Sequence, residues 1–68
     1  MNWIIECFNN RGVWITSHHT DVKDGVWMTM GFDRMIDALS SDSVRHAEMH
    51  YRGRDTVTGE IIPAEIFG

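Results

Sequence analysis

The sequence has one cysteine, one proline and only six lysine and arginine residues among its 68. A single cysteine excludes an internal disulfide, so no covalent cross-link supports the small core of so short a chain. A lone thiol also favours a reducing compartment, and we expect a cytoplasmic protein. No apolar run approaches the roughly 20 residues of a membrane-spanning helix. The first ten residues lack a basic start and are interrupted by Glu6, so no signal peptide is expected.

Basic side chains are also outnumbered, by ten aspartates and glutamates, which gives a formal net charge of −4. Adhesion to a nucleic-acid backbone depends on clustered lysine and arginine, so this balance disfavours that class of protein. Three tryptophans and five methionines, by contrast, are many for 68 residues. The location of these large side chains, in the core or on the surface, is therefore the most informative guide to function.

One segment, GFDRMIDAL at 31–39, has a clear helical period. Its apolar side chains recur at i, i+3, i+4 and i+7, on one face of a helix. These residues are Phe32, Met35, Ile36 and Leu39. Asp33 falls in the first turn, where a negative charge suits the helix dipole. The pattern predicts one short amphipathic helix that packs on a sheet.

The remaining segments predict strands joined by turns. Runs of β-branched and aromatic residues, or strict alternation of apolar and polar residues, predict strands at 3–8, 13–20, 26–30, 46–52 and 60–62. The alternative for 26–30 is a segment that leads directly into the helix. Asn, Asp and Gly residues between them are typical of turns. We therefore predict a single α+β domain over residues 1–68, in the order β-β-β-α-β-β. It has a small antiparallel sheet with the helix packed across one face.

Alternation along the strands assigns side chains to the two faces of the sheet. Trp3, Ile5 and Cys7 form the more apolar set of the first strand and are expected to face the helix. The same face is predicted to include Val13, Ile15, Val26, Met28 and Met30. The face away from the helix is predicted to carry Ile4, Glu6, Phe8, Trp14, Thr16, His18, Trp27, Thr29, His46, Glu48, His50 and Arg52. Apolar residues that cluster on a solvent-facing surface usually mark an interaction site.

Aromatic and arginine side chains supply most of the binding energy in protein interfaces. On that basis the predicted partner-binding residues are Phe8, Trp14, Trp27, His50 and Arg52. We expect a protein partner, with strand addition at a sheet edge as a second docking route. A homodimer with two such faces back to back is the alternative for the same surface.

Two other functions use overlapping residues. The tryptophans, with Phe8 and Arg52, could stack the bases of a single-stranded nucleic acid, helped by further arginines after the helix. His46 and His50 are four residues apart and could form a metal-binding pair, with His18 or His19 as a third ligand. No cysteine or carboxylate cluster supports that pair, so neither a metal nor another cofactor is predicted.

Catalytic motifs are not found. Cys7 is assigned to the core by its parity, where a free cysteine acts as a small apolar residue. The serines at 40–43 lack the Gly-x-Ser-x-Gly turn that activates a nucleophile, and no glycine-rich phosphate loop is present. A non-enzymatic protein is therefore expected.

The segment 51–62, YRGRDTVTGEII, resembles the ending of many small phage and prophage accessory proteins. In those proteins a strand closes with an Arg-Asp-Thr-x-Thr-Gly-Glu turn and a short apolar return. The order of strands and helix is also similar to that of small phage inhibitors of host enzymes. The resemblance implies a phage-encoded protein that binds and blocks a host protein in the host cytoplasm. It assigns no functional residue.

Overall fold

The structure is a computed structural model that describes residues 1–68. It has six strands, two α-helices and a C-terminal 3₁₀ helix. These are β1 (Trp3–Phe8), β2 (Trp14–Thr16), β3 (Val22–Lys23), β4 (Val26–Trp27), α1 (Phe32–Leu39), α2 (Asp42–Arg45), β5 (Tyr51–Asp55), β6 (Ile61–Pro63) and the 3₁₀ helix Ala64–Phe67. The predicted α+β class is confirmed. Neither α-helix has the length or the apolar composition needed to cross a bilayer.

The main sheet has four antiparallel strands in the order β2-β1-β5-β6. β1 and β5 lie at its centre, and the three-residue strands β2 and β6 form its edges. Glu6 on β1 is opposite Thr16 on one side and Arg52 on the other. Arg52 is in turn opposite Pro63 on β6. This register places the first strand of the chain between two segments that lie far apart in sequence.

The predicted second strand, 13–20, is too long, because β2 ends at Thr16. Beyond Thr16, the side chain of Thr20 hydrogen-bonds to β1 in place of the backbone of a further β2 residue. Its hydroxyl accepts a hydrogen bond from the Ile5 N–H and donates one to the Ile5 carbonyl, both at 2.9 Å. The Ile5 carbonyl also accepts from the Ser17 N–H at 2.7 Å. The ladder is thus completed by a turn, and the chain leaves the sheet.

The predicted third strand, 26–30, does not join the main sheet. β3 and β4 form a separate two-stranded hairpin instead. Asp24 and Gly25 both have positive φ, of 53° and 77°, as tight hairpin turns require. Only Met30 returns to the main sheet, where it forms an isolated bridge with Trp3. The turn signal at Asp-Gly was therefore informative, but it closes a hairpin outside the main sheet.

The predicted strand at 46–52 is wrong over most of its length, since β5 begins at Tyr51. The chain first forms α2, which follows α1 almost directly. The N–H groups of Val44 and Arg45 both donate to the Ser41 carbonyl, at 3.2 and 2.9 Å. Local bonding of this kind, with an acidic first turn and a basic last turn, favours a helical turn over a strand. Residues 46–50, which carry most of the alternating pattern, form neither helix nor strand and connect α2 to β5.

The hydrophobic core lies between α1 and the main sheet. Its buried members are Trp3, Ile5, Cys7, Met30, Met35, Leu39, Val44 and Tyr51. The inward direction predicted for Trp3, Ile5 and Cys7 is confirmed. Four other residues predicted to face the helix are exposed, namely Val13, Ile15, Val26 and Met28. α1 packs on β1 and β5, so it does not shield the edge strand or the hairpin.

Gly53 marks the closest approach of α1 to the sheet. It lies opposite Ile5 at the centre of the sheet, under the fully buried side chain of Met35. A Cβ atom at Gly53 would lie 2.9 Å from Met35 Cγ and would overlap Met35 Sδ. The absence of a side chain at this position therefore allows the helix to settle directly on β5.

Candidate protein-binding face

The outer face is the face of the main sheet opposite α1. Strand register and alternation assign nine residues to it. They are Ile4, Glu6 and Phe8 on β1, Trp14 and Thr16 on β2, Arg52 and Arg54 on β5, and Ile61 and Pro63 on β6. The outer face thus combines aromatic, aliphatic and arginine side chains with a single acid.

Trp14 is the centre of an aromatic and cationic cluster on this face. Its ring meets Phe8 edge-on, with centroids 5.1 Å apart and planes inclined by 62°. The Arg52 guanidinium carbon lies 4.0 Å from the Trp14 ring centroid, a distance suited to a cation–π contact. Phe8 and Trp14 are paired across β1 and β2, and Arg52 comes from β5. Three strands therefore hold one contiguous cluster.

Glu6 is buried on the outer face because two arginines cover it. Its Oε1 accepts from Arg52 Nε at 2.9 Å, and its Oε2 accepts from Arg54 Nε at 3.0 Å. Only 8% of the Glu6 side chain is exposed. Charge-assisted hydrogen bonds at both oxygens satisfy the carboxylate that the fold removes from water. The same bonds fix the position of both guanidinium groups.

His50 lies at the entry to β5 and connects the sheet to the C-terminal 3₁₀ helix. Its Nδ1 is 2.8 Å from Glu65 Oε1, and its carbonyl accepts from the Phe8 N–H at 3.0 Å. The hydrogen bond from His50 is the main cause of a lowered pKa at the Glu65 carboxyl. His50 is thus tied to the strand that carries the aromatic cluster.

A groove with a volume of about 420 Å³ opens beside this cluster. Its walls are Trp14, His50, Arg52, Ile61, Pro63 and Glu65. Pockets for small ligands generally have volumes of roughly 300–1,000 Å³. The groove is therefore large enough to take an apolar side chain of a partner.

Comparison with protein families, curated proteins and solved structures found no match. Function is therefore inferred from the residues of the chain itself. The resemblance of segment 51–62 to phage accessory proteins stays a prediction.

Four of the five predicted partner-binding residues come together at this cluster and groove: Phe8, Trp14, His50 and Arg52. Trp27 does not join them. The prediction that it shares a sheet with Trp14 is wrong, because Trp27 lies on β4, opposite Val22 in the separate hairpin. It makes no ring contact with either Phe8 or Trp14.

Sequence reasoning missed the ion pairs of Glu6 and the part played by Arg54. Alternation correctly placed Glu6 and Arg52 on the same face. Their direct pairing depends on the register of two strands whose paired residues are 46 positions apart. No local signal reports such a register. A glutamate in the middle of an otherwise apolar strand was the available hint that a cation lies opposite.

The alternative metal-binding pair, His46 and His50, does not assemble into a ligand set. His46 ends α2, whereas His50 is bonded to Glu65. His19, suggested as a third ligand, packs edge-on against the Tyr51 ring with centroids 5.4 Å apart. No group of three or more His, Cys, Asp or Glu side chains that could hold a metal ion is present. The metal-binding alternative therefore has no structural support.

Cys7 is buried in the core, opposite Tyr51. Burial, with a smaller contribution from the charge of Glu6, raises the pKa of the Cys7 thiol above its ordinary value. The thiol therefore stays protonated at neutral pH. A protonated, buried thiol is neither a nucleophile nor a metal ligand.

His19 gives the fold a dependence on pH. Burial, and secondarily the neighbouring His18, lower its pKa below the ordinary 6.5. Below that pH, His19 takes up a proton more readily in the unfolded chain than in the folded chain. The free energy of unfolding is therefore higher above pH 6.5 and decreases as the pH falls. We expect the urea midpoint to drop between about pH 7.5 and about pH 5.5, and His19→Gln to reduce the drop.

The matched control for this prediction is His46→Gln, which removes an exposed histidine at the end of α2. The lowered pKa values of the Asp21, Asp55 and Glu65 carboxyls act only at more acidic pH. An equal drop in the His19→Gln and wild-type proteins would contradict the assignment.

Proposed function

We propose that the chain is a non-enzymatic protein-binding module that docks on its partner through the outer face. The observation that carries the proposal is the contact of Trp14 with both Phe8 and Arg52. Tryptophan, tyrosine and arginine are the residues most enriched at the energetic centres of protein interfaces. Here a tryptophan and an arginine are held in contact by three paired strands, so little conformational freedom is lost when a partner binds.

The groove supports the same proposal. It adjoins Trp14 and has aliphatic walls at Ile61 and Pro63. Phe8, on the other side of Trp14, is 38% exposed. An aromatic anchor beside a groove gives a partner both a surface to cover and a recess to fill. Strand addition at β6 is less favourable, since Pro63 has no N–H to contribute to a ladder.

The identity of the partner is an inference from the resemblance of segment 51–62. If that resemblance holds, the partner is a host protein, and docking blocks its activity. The alternative function, binding of single-stranded nucleic acid, is disfavoured by the same geometry. Arg52 covers one face of the Trp14 ring, and Glu6 compensates part of the local positive charge.

Replacing Trp14 by alanine is expected to weaken partner binding at least about tenfold, as truncation of a central tryptophan commonly does. Trp27→Ala is the matched control, because Trp27 is a tryptophan with 47% of its surface exposed that lies on the other sheet. Both variants and the wild type would serve as bait in bacterial lysates, with captured proteins quantified by mass spectrometry. Capture that survives Trp14→Ala but not Trp27→Ala would move the binding surface to the hairpin.

Light scattering of the isolated protein tests the homodimer alternative. A monomer in which the fluorescence of Trp14 is quenched, measured in a Trp27→Phe background, leaves the outer face free for a partner. A tight dimer in which Trp14 fluorescence is shielded would mean that the outer face is occupied by a second copy.

A further inference from the structure

The two arginines on the outer face donate only some of their hydrogen bonds within the protein. Arg52 and Arg54 each donate a hydrogen bond to Glu6 through Nε. A guanidinium group has five N–H donors, so four remain on each arginine. No other protein group accepts from the Nη atoms of either side chain. Both groups are partly exposed, at 22% and 35%, and can reach a ligand.

Glu6 sets both the position and the charge of this pair. It holds the two guanidinium groups side by side, at positions two residues apart on one strand. Arg52, Arg54 and Glu6 together carry one net positive charge, although the whole chain carries −4. Glu65, on the groove wall, is hydrogen-bonded to His50 and to neither arginine. One further carboxylate would bring the cluster to electrical balance. It would also accept from donors that the fold leaves unpaired.

We propose that Arg52 and Arg54 together bind a carboxylate side chain of the protein partner, and that an apolar neighbour of this side chain enters the groove. This inference rests on the proposed docking function and specifies the chemistry of the partner. Planar guanidinium groups match the two oxygens of a carboxylate. Because Glu6 already fixes them, less side-chain entropy is lost on binding than for free arginines.

The groove supplies the second half of the recognition. Arg52 belongs both to the anchored pair and to the groove wall. A segment whose acidic residue reaches the arginines thus has its adjacent residue next to Trp14, Ile61 and Pro63. The partner segment combines an acidic residue with an aliphatic one. A phosphate backbone fits less well, because it brings a row of negative charges to a site where Glu6 and Glu65 offset the arginines.

The test uses the full chain and a blocked peptide with the sequence Val-Glu-Leu-Glu-Val, followed by nitrogen-15 NMR of backbone, indole and arginine Nε signals. The peptide is expected to shift the signals of Arg52, Arg54 and Trp14. The same peptide with glutamine in place of glutamate is expected to bind at least about tenfold more weakly, since a guanidinium group donates stronger hydrogen bonds to a carboxylate than to a neutral amide.

Arginine variants distinguish binding at this site from a general effect of the charge of the protein. Arg54→Gln is expected to weaken binding of the glutamate peptide about tenfold. Arg11→Gln removes the same charge from an exposed turn and is expected to change binding less than about twofold. Arg54→Lys keeps the charge and an ion pair to Glu6 but lacks the planar fork. It is expected to bind more weakly than wild type, and it serves the test if Arg54→Gln does not fold.

The inference would be overturned by equal binding of the glutamate and glutamine peptides, by shifts confined to other surfaces, or by no shift at millimolar peptide. Displacement of the peptide by tighter-binding oligo(dT), with a steep salt dependence, would overturn it in favour of nucleic acid. The proposed docking function is judged separately. Capture of a partner that depends on Trp14 but is insensitive to Arg54→Gln would retain the docking face and reject the carboxylate.

Discussion

Thr20→Val is expected to destabilise the protein by about 2–4 kcal/mol. The substitution keeps the shape of the side chain and removes the hydroxyl that bridges the N–H and carbonyl of Ile5. Thr20 is only 2% exposed, so water does not readily replace the lost bonds. The Ile5 N–H is left without a partner, whereas the carbonyl keeps its bond from Ser17. Urea denaturation measures the change.

Thr20→Ser is the control for this prediction, because it keeps the hydroxyl and removes only a methyl group. We expect it to cost about 1 kcal/mol. If Thr20→Val were as stable as Thr20→Ser, the hydroxyl would not be the group that completes the β1 ladder. The domain has a total stability of only a few kcal/mol by its size, so the valine variant is also expected to be partly unfolded at 37 °C.

Gly53→Ala is expected to destabilise the protein by about 1–3 kcal/mol through overpacking. The new methyl group would lie too close to Met35 Cγ and Sδ. Met35 is fully buried, so its side chain cannot swing into solvent to make room. α1 must then lift from β5 and disturb its packing over the core. Urea denaturation of the variant and the wild type gives the difference in unfolding free energy.

The clash is isolated by repeating the substitution in a Met35→Ala background. Met35→Ala alone removes a buried side chain and is itself costly, by about 2–5 kcal/mol. In that background, Gly53→Ala should cost less than in the wild type, or stabilise by filling space. Gly31→Ala, where a Cβ would meet no atom closer than 3.9 Å, controls for general effects of alanine. Equal costs of Gly53→Ala in both backgrounds would reject direct contact as the cause.

Local patterns in the sequence were sufficient for part of the fold. The apolar stripe of segment 31–39 predicted α1, which begins at Phe32 and ends at Leu39. Alternation in the first strand predicted that Trp3, Ile5 and Cys7 face the core. Both signals lie within one element and are set by burial against a neighbour, so they can be read without knowledge of the tertiary structure.

The errors arose where one side chain decides the course of the backbone. Thr20 completes the ladder of β1 and ends the neighbouring strand, although threonine itself favours strands. Ser41 accepts the bonds that begin α2, just before the segment 46–52 that alternates like a strand. The pairing of Glu6 with Arg52 and Arg54 depends on long-range register. Each of these outcomes depends on a specific contact that periodicity does not report.

The central position of β1 has a consequence for how the protein folds. Its longest partner is β5, and the residues that pair, such as Trp3 and Asp55, come from opposite ends of the chain. Closing so long a loop is entropically costly and slows folding. During synthesis β1 therefore lacks its central neighbour until the residues of β5, Tyr51–Asp55, have been added. Glu6 on β1 therefore acquires its two arginine partners only after β5 has been synthesised.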